Sequence, residues 1–316
     1  MKYYILILTL LFTSASFSQE LEKVTISDSD PYHFYVFDGD STEIYYYKIV
    51  PESEPIGVLT IFPSGGEKIE NLLDQIDLHQ VAYDNGLLVV IPSYNMGTFQ
   101  KIPDLEFIDK IFKQVVEDHS VSKENFFLCG LSNGGMVSLK YGIAAVRDSS
   151  TYVTPKGIIG LDPPLDLIRF YGYCEREIAR NYSEAGVAEA KWLLDSYNKI
   201  FQGSPDEQKQ KYIDASIYSY GVAGGGNAKF LNNIPIRMYS DLNIDFLINQ
   251  RKRDLHDWNG IDIVSFINQL KINGNKNAEV IITHNKGVKS DGTTNPHSWS
   301  IMDTNKTIEW ILALLK

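Results

Sequence analysis

Hydrophobic and polar positions change their rhythm three times along this chain. An apolar run at residues 3–12 follows Lys2 and gives way to small polar residues at 13–20. Aromatic and β-branched residues then flank the turn Asp38-Gly39-Asp40, and the segments 32–37 and 43–50 predict a hairpin around it. Beyond Gly57 the pattern becomes short continuous apolar runs separated by stretches of helical spacing. The runs 57–62, 86–91, 125–129, 157–161, 234–239 and 278–283 predict buried strands. The segments 67–83, 104–117, 134–146, 260–271 and 304–315 predict the helices between them. Apolar strands alternating with helices imply a mostly parallel sheet covered on both faces. The alternation is interrupted at 165–232, where helical pieces at 177–201 and 204–212 and the stretch Gly224-Gly225-Gly226 are too long for one crossover. This segment is expected to be a helical cap insertion on a single domain spanning 19–316.

The first run is too short to span a bilayer, and Ser16 and Ser18 place small residues three and one positions before Gln19. Residues 1–18 therefore read as a signal peptide, which predicts a secreted or periplasmic protein with no stable membrane insertion after its removal. With 44% hydrophobic residues and a formal net charge of −11, the composition is that of an acidic globular protein. Nucleic acid is not an expected partner, since polyanion binding normally leaves a basic excess. The two cysteines, Cys129 and Cys174, are too few for a disulfide scaffold, and Cys129 at a strand end reads as a small buried hydrophobe.

The chemistry concentrates at Gly130-Leu131-Ser132-Asn133-Gly134, which follows one predicted strand and opens the next helix. There a sharp turn lifts a serine hydroxyl above the carboxyl edge of the sheet, and the glycines admit the neighbouring backbone. A serine is a poor nucleophile at its own pKa and needs a base. Of the six histidines, His33, His79, His119 and His256 fall in segments that do not lead to that edge. His284 ends the last strand, whereas His297 lies in the loop between that strand and the final helix, so His297 is the preferred base. The chain order Ser, Asp, His puts the orienting carboxylate after the strand ending near Tyr239, where Asp245 is the first choice and Asp241 the alternative acid. The backbone amides of Asn133 and of the Ser64-Gly65 loop are the expected oxyanion donors. No metal-ligand spacing and no cofactor motif is present, so neither a metal nor a cofactor is expected.

Together these residues resemble the α/β-hydrolase superfamily. Asp162-Pro163-Pro164-Leu165-Asp166, the segment 273–279 and Pro296-His297-Ser298-Trp299-Ser300 look like a group of exported bacterial hydrolases of that fold. The resemblance implies an α/β-hydrolase fold and a serine esterase acting on a small-molecule or oligosaccharide ester. A serine peptidase of the same fold and a non-catalytic binding module are the alternatives. The chain departs from the superfamily's pattern at Pro63-Ser64, where His-Gly is usual, and at Asn243, near the expected aspartate. Asp162 either lines the pocket or sets a turn with Pro163-Pro164. Arg169, Arg176 and Arg180 either meet an anionic substrate or form a solvated helix face. The run Arg251-Lys252-Arg253 reads as solvent-facing.

Overall fold

Four strands are buried along their whole length: β3 (Gly57–Phe62), β4 (Leu87–Pro92), β5 (Phe126–Leu131) and β6 (Gly157–Leu161). That burial is why their sequences read as continuous apolar runs: each must be hydrophobic on both faces. The structure is a computed structural model and describes residues 21–26, 44–93 and 102–316. The signal peptide, the 32–37 strand with its Asp38-Gly39-Asp40 turn, and His33 lie outside the described residues.

With β1 (Glu22–Ile26), β2 (Ile44–Ile49), β7 (Ile236–Asp241) and β8 (Ala278–Thr283), the strands form one eight-stranded sheet in the order β1-β2-β4-β3-β5-β6-β7-β8. The first two pairings, β1 with β2 and β2 with β4, are antiparallel, and all others are parallel. Strand β2 has Glu22–Ile26 on one side, with Val24 opposite Tyr46, and β4 on the other, with Tyr47 opposite Ile91.

Alternate residues of the strands feed opposite layers. Leu59, Val89, Phe127 and Ile159 pack under α1 (Ile69–Leu73), α2 (Leu78–Asp84) and α9 (Thr304–Leu315). Val58, Val90 and Leu128 pack on the other face against α3 (Ile102–His119) and α4 (Asn133–Arg147). A further cluster joins Met136 and Leu139 of α4, Ile236 and Met238 of β7 and Phe266 of α8 (Gly260–Ile272) to the segment between β6 and β7. That segment folds as α5 (Leu167–Arg180), α6 (Glu184–Phe201), α7 (Pro205–Ala215) and a 3₁₀ turn at Ala223–Leu231. Tyr171, Tyr197, Phe201 and Tyr212 bring its rings into the shared cluster.

Two helices expected to be continuous are broken. The 67–83 stretch stops at Leu73 and restarts after Asp77. The 177–201 stretch divides at Asn181, which takes φ 48°, and Ser183 caps the new helix by accepting the Gly186 amide at 3.2 Å. Both cysteines are buried free thiols. Among the described residues no helix is long and apolar enough to cross a membrane.

Candidate active site

Two neighbouring parallel strands end side by side, with Leu131 of β5 opposite Leu161 of β6. The next residue on each is Ser132 and Asp162, and both take positive φ, 55° and 47°. Each bend is pinned by the backbone of an adjacent strand: the Ser132 amide donates to Leu161 O at 2.7 Å, and the Asp162 amide donates to Tyr239 O at 2.8 Å. Left-handed backbone is tolerated by aspartate but strained for serine. The strain at Ser132 is held by packing that only glycine permits. A Cβ on Gly130 would stand 2.1 Å from the Gly134 carbonyl carbon, and one on Gly134 would stand 2.2 Å from Phe62 O. The serine is thus driven up at the junction of β5 and α4, as the G-x-S-x-G spacing predicts.

His297 faces that junction from the loop after β8. Its Nδ1 lies 2.7 Å from Asp162 Oδ2, and Asp162 Oδ1 accepts the Ser240 hydroxyl at 2.5 Å. The Asp162 side chain is 7% exposed and the His297 side chain 40%. Burial lowers the imidazole pKa, but the hydrogen bond and charge of Asp162 raise it by more, leaving it above its ordinary 6.5. Asn295 holds the loop, its side chain donating to His297 O at 3.0 Å and accepting the His297 amide at 3.2 Å.

The carboxylate expected to face the histidine is therefore corrected. Asp245 is exposed at the start of the π-helical turn Phe246–Arg251 and makes no side-chain cap there. Asp241 lines the cavity, but its oxygens accept from Thr283 Oγ1 at 2.6 Å and from the amides of Lys286 and Gly287 at 3.0 and 3.2 Å. Strand β7 runs two residues further than the apolar pattern suggests, so Asp241 is a strand residue paired with β8 and not a loop acid. A signal for Asp162 was present: Leu161-Asp162 leaves β6 just as Leu131-Ser132 leaves β5, and Pro163 blocks continuation of the strand.

Asn133 opens α4 directly after Ser132, where helix amides point outward. On the facing loop, Ser64 is corrected as a donor, because its amide is already given to Glu67 Oε2 at 2.9 Å. Residues Ser64-Gly65-Gly66-Glu67 form a turn closed by the Glu67 amide on Ser64 O at 3.0 Å, with Gly66 at φ 76°. The Gly65 amide plays no part in closing it. Glu67, which sequence reading passed over, also accepts Trp299 Nε1–H at 3.0 Å and Gln75 Nε2 at 2.7 Å. It ties the Ser64–Glu67 turn to the histidine loop two residues from His297. Burial raises its pKa, and those donors, with the Ser64 amide first, oppose the rise.

Ser132, Asp162 and His297 open into one cavity of about 290 Å³, whose wall includes Phe170 and Tyr173 of α5 and Phe246, Arg251 and Arg253 of the loop after β7. Among the described residues no cluster of three or more His, Cys, Asp or Glu side chains could hold a metal ion.

Neither a protein-family profile nor a curated protein sequence matches the chain. Solved structures do. Carboxyl esterase 2 from the mycorrhizal fungus Tuber melanosporum is 15% identical, with TM-score 0.54 over 94% of this chain and 87% of that one. A mutant of the esterase rPPE is 14% identical, with TM-score 0.52 over 94% of this chain and 80% of that one. An acylaminoacyl peptidase from Pyrococcus horikoshii gives TM-score 0.55 at 15% identity, and this chain spans 42% of its length. These likenesses and the strand order establish the α/β-hydrolase fold, with a mostly parallel central sheet and helices on both faces.

Proposed function

We propose that this protein is a serine hydrolase that cleaves carboxylic esters through Ser132, His297 and Asp162. The observation that carries the reading is the strained Ser132 opening into the same cavity as a histidine fixed at 2.7 Å by a buried aspartate. In this reading the neutral His297 takes the Ser132 proton at Nε2 as Oγ attacks the ester carbonyl. Asp162 holds the tautomer with Nδ1–H and stabilises the imidazolium. The carbonyl oxygen, now an anion, is met by the amides of Asn133 and Gly65. Collapse expels the alcohol, which receives the proton from His297. Water, deprotonated by the same imidazole, then attacks the acyl-enzyme and releases the acid and Ser132.

The leader read at residues 1–18 makes this a secreted or periplasmic enzyme, with small-molecule or oligosaccharide esters as its substrates. The segment 165–232 serves as the cap that shapes the substrate cavity.

Intact-mass spectrometry after treatment with a fluorophosphonate tests the reading, alongside turnover of 4-nitrophenyl acetate. One adduct and measurable turnover on the wild type, both absent from Ser132→Ala, are the expected result. An unlabelled, inactive wild type would overturn it and leave the non-catalytic binding module.

A further inference from the structure

Arg251 and Arg253 line the cavity, and Arg169, Arg176 and Arg180 stand on α5, whose Phe170 and Tyr173 are in its wall; all but Arg251 are paired with carboxylates. Arg169 pairs with Asp262 at 2.6 Å, Arg176 and Arg180 share Asp257 at 2.7 and 2.6 Å, and Arg253 makes a two-pronged pair with Glu177 at 2.9 Å. The three arginines that a sequence reading offers to an anionic substrate are therefore already committed to carboxylates. Arg251, from the run expected to face solvent, stands in the cavity wall.

Its guanidinium is half-buried and held from two sides. Nη1 donates to Ser183 Oγ at 3.0 Å, and the group lies 5.2 Å from the centre of the Phe246 ring. Among the described residues no carboxylate comes within ion-pair distance of it. The chain geometry explains its direction: Lys252 takes a left-handed turn at φ 54°, so the residues on either side of it both reach the cavity while Lys252 stays exposed.

The carboxylates sharing the wall do not compete for this cation. Asp162, Asp241 and Asp257 each have donors on their oxygens, and Glu189, the other carboxylate of the wall, makes no ion pair with Arg251. A guanidinium on a fixed stem with N–H donors to spare is a preorganised receptor for a planar carboxylate. The surrounding protein, at −11 overall, repels anions in general, so a local cation is what would admit one.

We propose that Arg251 selects esters carrying a carboxylate group near the scissile bond. This deepens the serine hydrolase reading and rests on it.

The test uses two isosteric acetates, 4-acetoxybenzoate and 4-acetoxybenzamide, which share the acyl group and differ by one charge. The quantity read is the ratio of their kcat/KM values, anionic over neutral. In Arg251→Gln this ratio is expected to fall roughly tenfold or more, the loss typical of hydrogen bonds to a charged group. Arg251→Lys, which keeps the charge but loses the fork, should recover part of it. Lys252→Gln, which removes the adjacent exposed cation, should leave the ratio where it is. Raising the salt concentration should lower the wild-type ratio by less than the substitution does, because a half-buried pair is weakly screened.

Equal losses on both acetates in Arg251→Gln would mean a packing role and would overturn the proposal. So would a wild-type preference for 4-acetoxyphenyltrimethylammonium, which would transfer recognition to Glu189. Fluorophosphonate labelling in the same samples separates the failures. A labelled Ser132 with no charge preference removes the anion subsite alone, whereas an unlabelled Ser132 removes the hydrolase reading with it.

Discussion

The ends of β6 and β7 each present a buried aspartate to the same cavity, and the two do different work. Asp162 keeps one oxygen for His297 and gives the other to Ser240, a single hydroxyl. Asp241 spends both oxygens on Thr283 and the amides of Lys286 and Gly287. Those amides begin the loop that carries the histidine. Gly287 packs so closely on Asn295 and Pro296 that a Cβ there would stand 2.2 Å from Asn295 O. One aspartate orients the imidazole, and the other builds the loop from which it hangs. What distinguishes them is not acidity or depth but which donors consume their oxygens.

That contrast can be broken most decisively at Asp162. Asp162→Asn should lower kcat for 4-nitrophenyl acetate by about ten-thousand-fold while leaving the thermal midpoint within a few degrees, since the amide unsettles the imidazole tautomer. The pH profile sharpens the point. Only neutral His297 accepts a proton, and its folded pKa is raised, so wild-type kcat/KM should climb with pH through a midpoint above 6.5. Without the Asp162 hydrogen bond and charge, burial and the nearby Arg253 outweigh the pull of Glu189, so the residual activity of Asp162→Asn should climb through a lower midpoint. A midpoint unmoved by the substitution would separate Asp162 from the titrating group.

Asp241→Asn should act chiefly on stability. It replaces an acceptor for three donors, so a loss of about 1–3 kcal/mol is expected in chemical denaturation, with a drop in kcat far smaller than at Asp162. If it proved as costly to kcat as Asp162→Asn, the roles given to the two strand ends would be reversed. Glu67→Gln probes the other support of the histidine loop. An amide keeps one oxygen for the Ser64 amide and Trp299 but puts a donor where Oε1 now accepts from Gln75, and a several-fold fall in kcat/KM with about 1 kcal/mol of stability lost is expected. Asp245→Ala closes the series: exposed and uncapping, it should change stability by no more than about 0.5 kcal/mol and leave kcat at the wild-type value.

Much of this was readable before the fold. Strands β3, β6 and β8 and helix α9 match their apolar patterns to the residue, because burial on one or both faces imposes a local period. Ser132 and His297 were legible for a related reason: a glycine-flanked serine between strand and helix, and a loop after the last strand, are local signatures of place. The aspartate was not. Asp162, Asp241 and Asp245 all sit at or near the carboxyl ends of strands, and chain order alone favoured the later pair. The pairing of 22–26 with β2 escaped for the same reason, since strand pairing is a long-range choice that no local pattern decides.

The amino-acid sequence by itself determined the layered α/β architecture, the nucleophile's elbow and the loop that carries the base, since each rests on periodicity or on glycine at a spot where backbone approaches backbone. Tertiary structure alone decided which carboxylate meets the imidazole, which arginines are spent and which one still faces the cavity. A charged side chain's role depends on the donors and acceptors that folding brings to it from elsewhere in the chain: Ser240 lies 78 positions from Asp162, and His297 lies 135. No local pattern records such meetings, because the hydrogen bonds that decide them exist only after the strands have chosen their neighbours.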